Sequence, residues 1–105
     1  MNMIATIRSA DAWDSIFCRL DALIAGRPAS PDAARLEARQ LISMAIADTW
    51  QADSLWGAID AFHAHFDFMM QTVEINGTED PGLRTLRTKC RFYLEQVEAL
   101  CRSLS

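Results

Sequence analysis

Apolar residues near the end of the chain recur at intervals of three and four positions, which is the spacing that places side chains on one face of an α-helix. The pattern continues for three heptads and is typical of a helix in a bundle. It predicts a helix over residues 81–103, with Pro81 in the first turn, where a missing N–H is tolerated. The residues that carry the pattern are Leu83, Leu86, Cys90, Tyr93, Val97, Leu100 and Leu104.

Two earlier helices are marked by residues that favour helix ends. Apolar residues with helical spacing follow Asp11, which is placed to cap a first helix, and Gly26 is placed to end it. Ser30 is a favourable cap for a second helix because its hydroxyl can accept a hydrogen bond from a free N–H, and Pro31 suits the first helical position. The predicted bounds are 12–25 and 31–50.

A third helix is predicted over residues 54–75. Asp53 or Ser54 can cap its start, and the pair Asn76-Gly77 can end it. We favour this interpretation over the alternative, in which the second and third helices are continuous.

The length and composition indicate one folded domain. The chain has 105 residues, of which half are hydrophobic and only seven are glycine or proline, so neither disorder nor a fibrous repeat fits. Apart from the short stretch MIATI near the start, no segment alternates polar and apolar residues as a half-buried strand does. We predict a single all-α domain over residues 1–105, an antiparallel four-helix bundle with short connections. Residues expected to be nearly fully buried are Leu20, Leu41, Phe62, Phe66, Leu86 and Val97.

The stretch DAFHAHFDFMMQ, residues 60–71, combines two histidines and two aspartates with phenylalanines and methionines. On a helix, Phe62, Phe66 and Met69 form a stripe that faces the core, so we interpret them as core residues and not as a haem or ligand box. His63 and His65 project from opposite sides of this stripe. They therefore cannot easily bind one ion.

A metal site would have to use one flank of this helix, formed by Asp60, His63, Asp67 and Glu74. Three arginines of the last helix have a similar spacing, and in an antiparallel pair they would face this flank, neutralise its carboxylates and repel a cation. We therefore expect no metal site and no cofactor. The predicted ion pairs are Asp67 with Arg87 or Arg91, and Glu74 with Arg84.

The chain offers little for catalysis or nucleotide binding. Cys90 and Cys101 fall on the core stripe of the last helix, Cys18 lies on the outer side of the first, and none has zinc-type spacing. No glycine-rich phosphate loop is present, and few groups could activate a nucleophile. We expect no enzyme activity. Free thiols and the lack of a long apolar stretch predict a cytoplasmic protein that does not enter a membrane.

Charge is distributed unevenly along the chain, whose formal net charge is -4. Residues 81–105 carry five basic and two acidic residues, whereas residues 1–80 carry five basic and twelve acidic ones. Such a split is found in nucleic-acid-binding arms and in helices that pair with each other. The alternative function is therefore a nucleic-acid-associated regulator that uses the basic face of the last helix, formed by Arg84, Arg87 and Arg91, although the overall acidity argues against it.

The chain has more apolar residues than one four-helix core can face, and the second helix is apolar nearly all round. This excess favours protein binding, first as a homodimer and then to another protein, as an adaptor, a chaperone, an antitoxin or an inhibitor of a larger machine. We expect the second helix and the outer side of the third to form most of the dimer interface, with Trp50 or Phe68 as an anchor. The predicted interface residues are Leu36, Ile46, Trp50, Trp56, Phe68, Ile75 and Phe92.

Overall fold

A computed structural model describes the backbone of residues 2–104 and the side chains of residues 12–104. This part of the chain is all-helical, without a strand, and none of its helices is long and apolar enough to cross a membrane. The helices are α1 (Asn2–Ala25), α2 (Pro31–Ile46), α3 (Asp53–Asn76) and α4 (Leu83–Ser103). They pack as a closed ring, in which α1 contacts α2 and α4, and α3 also contacts α2 and α4.

Several predicted helix ends are confirmed. The Oγ of Ser30 accepts a hydrogen bond from the N–H of Ala33 at 3.2 Å, and Pro31 is the first residue of α2. α1 ends immediately before Gly26. Gly77 follows α3 with a φ of 84°, a left-handed conformation that favours glycine. These ends depend on local chemistry, which is why the sequence indicates them.

α2 ends at Ile46, before the predicted bound. The carbonyl oxygen of Ile46 accepts hydrogen bonds from the hydroxyl of Thr49 at 2.9 Å and from the side-chain amide of Gln51 at 3.0 Å. These side-chain donors satisfy a carbonyl at the helix end, and residues 47–52 then separate α2 from α3. The predicted cap at the start of α3 is wrong, because the helix begins at Asp53 without a side-chain hydrogen bond.

The starts of α1 and α4 also differ from the prediction. α1 begins at Asn2, so the backbone of Asp11 lies inside the helix and cannot cap it; the side chain of Asp11 is outside the described residues. α4 begins at Leu83, two residues later than predicted. The carboxylate of Asp80 accepts a hydrogen bond from the N–H of Gly82 at 2.7 Å, which stabilises a turn before the helix.

The hydrophobic core lies inside the ring of helices. Four of the six residues predicted to be buried are at most 1% exposed, namely Leu20, Phe62, Phe66 and Val97. Leu41 and Leu86 are only partly buried. Both lie at the edge of the core-facing stripe of their helix, where a side chain packs against the core on one side and contacts solvent on the other.

Candidate protein-binding surface

The acidic flank of α3 is formed by Asp60, His63, Asp67 and Glu74. This flank faces α2: an Nη atom of Arg39 lies 2.6 Å from a carboxylate oxygen of Asp67, and an Nη atom of Arg35 lies 2.7 Å from a carboxylate oxygen of Glu74. The prediction that arginines of α4 would provide these partners is wrong. The reason is that α3 has two neighbours in the ring, and its acidic flank is turned toward the other one.

The basic flank of α4 faces α1 and not α3. The Nε of Arg91 lies 3.1 Å from a carboxylate oxygen of Asp21 on α1. The side of α4 that faces α3 is mainly apolar, and there the ring of Tyr93 lies 4.6 Å from the ring of His65, centroid to centroid. The basic flank is on the other side of the α4 core stripe, so it cannot reach the acidic flank of α3.

Whether the acidic flank could hold a metal ion depends on how its side chains are grouped. Among the described side chains, no three His, Cys, Asp or Glu residues are grouped so that they could hold an ion. The Nδ1 atom of His63 is buried and has no hydrogen-bond partner in the described part of the chain. Burial and then the charge of Arg39 lower the pKa of His63, while Asp67 and Asp60 act in the opposite direction. The surroundings of His63 therefore favour the neutral imidazole.

The cysteines lie where their positions on the helices predict. Cys90 and Cys101 are buried, and burial raises the pKa of Cys90 to about 12 and that of Cys101 to about 11, so both thiols stay protonated and unreactive. Cys18 is exposed in a hollow between α1 and α4 that several carboxylates line. Both histidines lie on α3, across the ring from α1, so neither is beside this thiol.

Six of the seven predicted interface residues are exposed, and they lie on different faces of the molecule. Ile46 is the exception: it is buried in the core, one turn after Ile42 on the same side of α2, so the prediction is wrong for this residue. Trp50 lies in the connection after α2, and its backbone N–H donates a hydrogen bond to the backbone carbonyl of Leu104 at 3.0 Å. The exposed residues are Leu36, Trp50, Trp56, Phe68, Ile75 and Phe92.

A groove runs along the outer surface between α3 and α4, and we term it the α3–α4 face. It contains two hollows. The first is lined by Ser54, Gly57, Ala58, Ala61, Tyr93, Gln96, Ala99 and Leu100. The second is lined by Ala64, His65, Phe68, Leu86 and Lys89. Tyr93 links the hollows, because its ring contacts His65 and also meets the edge of Phe92 at a centroid distance of 5.2 Å.

The α3–α4 face carries very little charge. Eight residues line the first hollow and five the second, and Lys89 is the one lysine, arginine or acidic residue among them. If these residues had the 23% charged fraction of the whole chain, about three of them would be charged. Phe68 and Phe92 on this face are 56% and 55% exposed. Depletion of charge around exposed aromatic residues is typical of the centre of a protein–protein interface.

Gly57 lies inside α3, where glycine is less favourable than alanine by about 1 kcal/mol. Among the described residues, a Cβ atom at this position would meet no other atom within 4 Å, so packing against them does not require a glycine. A glycine does allow another molecule to approach the helix closely. The interface predicted from the sequence does not include Gly57, although a lone glycine inside a predicted helix is a recognisable signal.

The other predicted interface residues do not share this face. Trp56 precedes His63 by one heptad, so it lies on the flank of α3 that faces away from α4. Leu36 belongs to α2, which is across the ring from α4. Phe68 lines the second hollow, and Phe92 precedes Ala99, which lines the first hollow, by one heptad, so both phenylalanines border the α3–α4 face. Ile75 lies one heptad after Phe68 on the same side of α3.

No family model, curated protein or solved structure matches this chain. Functional conclusions therefore rest on the geometry of the molecule.

Proposed function

We propose that this protein is a helical bundle that binds protein through its α3–α4 face. The observation that supports this most strongly is the presence of Phe68 and Phe92, both more than half exposed, on a face with almost no charge. Full burial of such a side chain is favourable by about 1.5–3 kcal/mol, so a partner that covers this face gains binding energy from both. An adaptor, a chaperone, an antitoxin or an inhibitor of a larger machine would need a surface of this kind.

The proposed architecture is an antiparallel bundle, which makes the α3–α4 face continuous along two helices. The order of contacts supports it. The indole N–H of Trp13 on α1 donates a hydrogen bond to the carbonyl of Ala45 on α2. Arg19 comes later on α1, and its side chain donates a hydrogen bond to Glu37, which comes earlier on α2. The same opposite order holds for Arg35–Glu74 and Arg39–Asp67 between α2 and α3, and for Asp14–Arg102 and Asp21–Arg91 between α1 and α4.

The arrangement of the basic residues of α4 favours a protein partner over a nucleic-acid partner. Arg91 is already paired with Asp21, and Arg87 is half-buried with a buried Nε atom. Arg84 is the one exposed member of this group without an ion pair among the described residues. A nucleic-acid surface needs several contacts to phosphates, because these contacts supply most of the affinity. We therefore propose protein binding as the function, without a cofactor or an enzymatic role, in the cytoplasm, where free thiols such as Cys90 persist.

Affinity capture from the native host tests this proposal. Phe68→Glu places a charge in the second hollow of the α3–α4 face, and Phe92→Glu places one at its α4 edge. Leu36→Glu and Met44→Glu are matched controls, because these residues are 59% and 62% exposed on α2. We expect mass spectrometry to find the same bound proteins with the wild type and the controls, and to lose them with both phenylalanine variants. Unchanged capture by folded phenylalanine variants would exclude this face as the binding surface.

A further inference from the structure

We infer that the first partner of the α3–α4 face is a second copy of the same chain, bound antiparallel about a two-fold axis that crosses the face near Ala64. This inference rests on the proposed protein-binding function of the face. Two independent properties carry it, one of side-chain size and one of charge. Both become complementary under the same rotation, as an interface between identical surfaces requires.

The two ends of the face differ in side-chain size. The difference is on α3: Ser54, Gly57, Ala58 and Ala61 are its residues at the first hollow, whereas Phe68 lies at the second. A two-fold axis near Ala64 turns the face end for end. Phe68 follows Ala64 by four residues, so in the second copy it arrives about four residues before Ala64, between Gly57 and Ala61. The open space above Gly57 then receives a phenylalanine ring.

Charges without a partner inside the chain also differ between the two ends. Asp60, and Asp53 one heptad before it, are exposed at the outer edge of the acidic flank, beside the face and on either side of Gly57 along α3. Neither makes an ion pair among the described residues. Lys89, at the other end of the face, also makes none within the same part of the chain. After the rotation, the acidic end of each copy meets the basic end of the other. The contact therefore occurs twice in the dimer.

One axis satisfies both properties. Asp60 and Phe68 lie at equal distances along α3 from Ala64, four residues or about 6 Å in each direction. Lys89 lines the hollow beside Phe68, so the rotation brings Asp60 of one copy level with Lys89 of the other. Two copies that each carry a net charge of -4 repel each other at acidic surfaces. They can meet without that repulsion on a face with an uncharged centre and ends of opposite sign.

An exchange of charges between two variants tests the arrangement. Lys89→Glu makes both ends of the face acidic, and Asp53→Lys with Asp60→Lys makes both ends basic. Each variant alone should self-associate about tenfold more weakly than the wild type, or weaker still, because like charges meet. In an equal mixture, one copy of each restores opposite charges at both contacts. Sedimentation equilibrium should then detect a heterodimer close to the wild type in strength.

Four other results would overturn the inference. A wild-type mass of 11.8 kDa at every concentration would show that the second copy is not the partner. Failure of the affinity-capture experiment is a different result, because that experiment tests whether the α3–α4 face binds any protein at all. A dimer equally strong in both charge variants, or a mixture no stronger than its components, would exclude the antiparallel arrangement. Leu36→Glu, on α2, should leave the dimer unchanged, and its dissociation by this variant would place the interface elsewhere.

Discussion

His63 lies where α3 meets α2, and its surroundings favour the neutral side chain. Burial first, and then the charge of Arg39, lower the pKa of His63 from its usual value of 6.5. The unfolded chain therefore binds a proton at a higher pH than the folded chain does. As a result, the free energy of unfolding decreases as the pH falls through about 6.5, and the loss is complete below the folded pKa.

His63→Gln should reduce this pH dependence, because glutamine does not titrate. We expect the wild type to lose more free energy of unfolding than the variant between about pH 7.5 and about pH 5.5, as measured by urea denaturation. The pair of Arg19 and Glu37 does not interfere with this measurement. The hydrogen bond from Arg19 lowers the pKa of Glu37 from 4.5, so the stability that the pair contributes is lost only below the pH range of the His63 titration. An equal loss in wild type and variant would show that His63 is not responsible.

Phe66→Ala should destabilise the protein by about 3–5 kcal/mol, because Phe66 is 1% exposed and its removal leaves a cavity in the core. Phe68→Ala is the matched control. Phe68 lies two residues later and is 56% exposed, so its loss should change the stability of the monomer by less than about 0.5 kcal/mol. Urea denaturation at low protein concentration measures both. Similar costs for the two variants would mean that α3 is rotated differently.

At the level of helices, the sequence predicts the elements well and their rotation less well. Helix number and most ends follow from local signals such as the cap at Ser30 and the glycine at Gly77. The end of α2 was missed because it depends on the side-chain hydrogen bonds of Thr49 and Gln51. The equal spacing of charges on α3 and α4 led to a wrong prediction of ion pairs between these helices. Arginines on α2 have a spacing that also matches the acidic flank of α3, and the packing of the core decides which neighbour that flank faces.

A double-mutant cycle tests the observed pairing of α3 with α2. We expect Asp67→Asn and Arg39→Gln to be coupled by about 0.2–1 kcal/mol in the free energy of unfolding, a small value because the pair is partly exposed. The same cycle between Asp67 and Arg87 is the control and should give no coupling. Coupling of Asp67 to Arg87 but not to Arg39 would contradict the observed pairing and favour the ion pair predicted from charge spacing.

At the level of the whole molecule, the order of helices around the ring determines which exposed residues share a face. Helical spacing correctly indicated that Phe68, Ile75 and Phe92 are exposed. It could not show that α3 and α4 share a groove while α2 lies across the ring from α4. The interface predicted from the sequence therefore combines α2 with the outer side of α3. Neighbour relations depend on how four apolar stripes pack together, and no single helix pattern contains that information.

Gly57→Leu separates the stability of the monomer from the formation of the dimer. Leucine is a better helix former than glycine, and a Cβ atom at this position meets no atom within 4 Å, so the monomer should become more stable by about 0.5–1 kcal/mol. In the proposed dimer, the same side chain would occupy the space that Phe68 of the second copy fills. The variant should therefore be well folded and unable to dimerise.

Sedimentation equilibrium of the wild type and Gly57→Leu, compared over micromolar concentrations, tests the central claim most directly. We predict that the wild-type mass rises with concentration from 11.8 kDa toward twice that value. We predict that the mass of Gly57→Leu stays at the monomer value, while circular dichroism shows the same helical content. A wild type that remains at 11.8 kDa throughout, or a Gly57→Leu variant that dimerises as strongly as the wild type, would contradict the proposed interface.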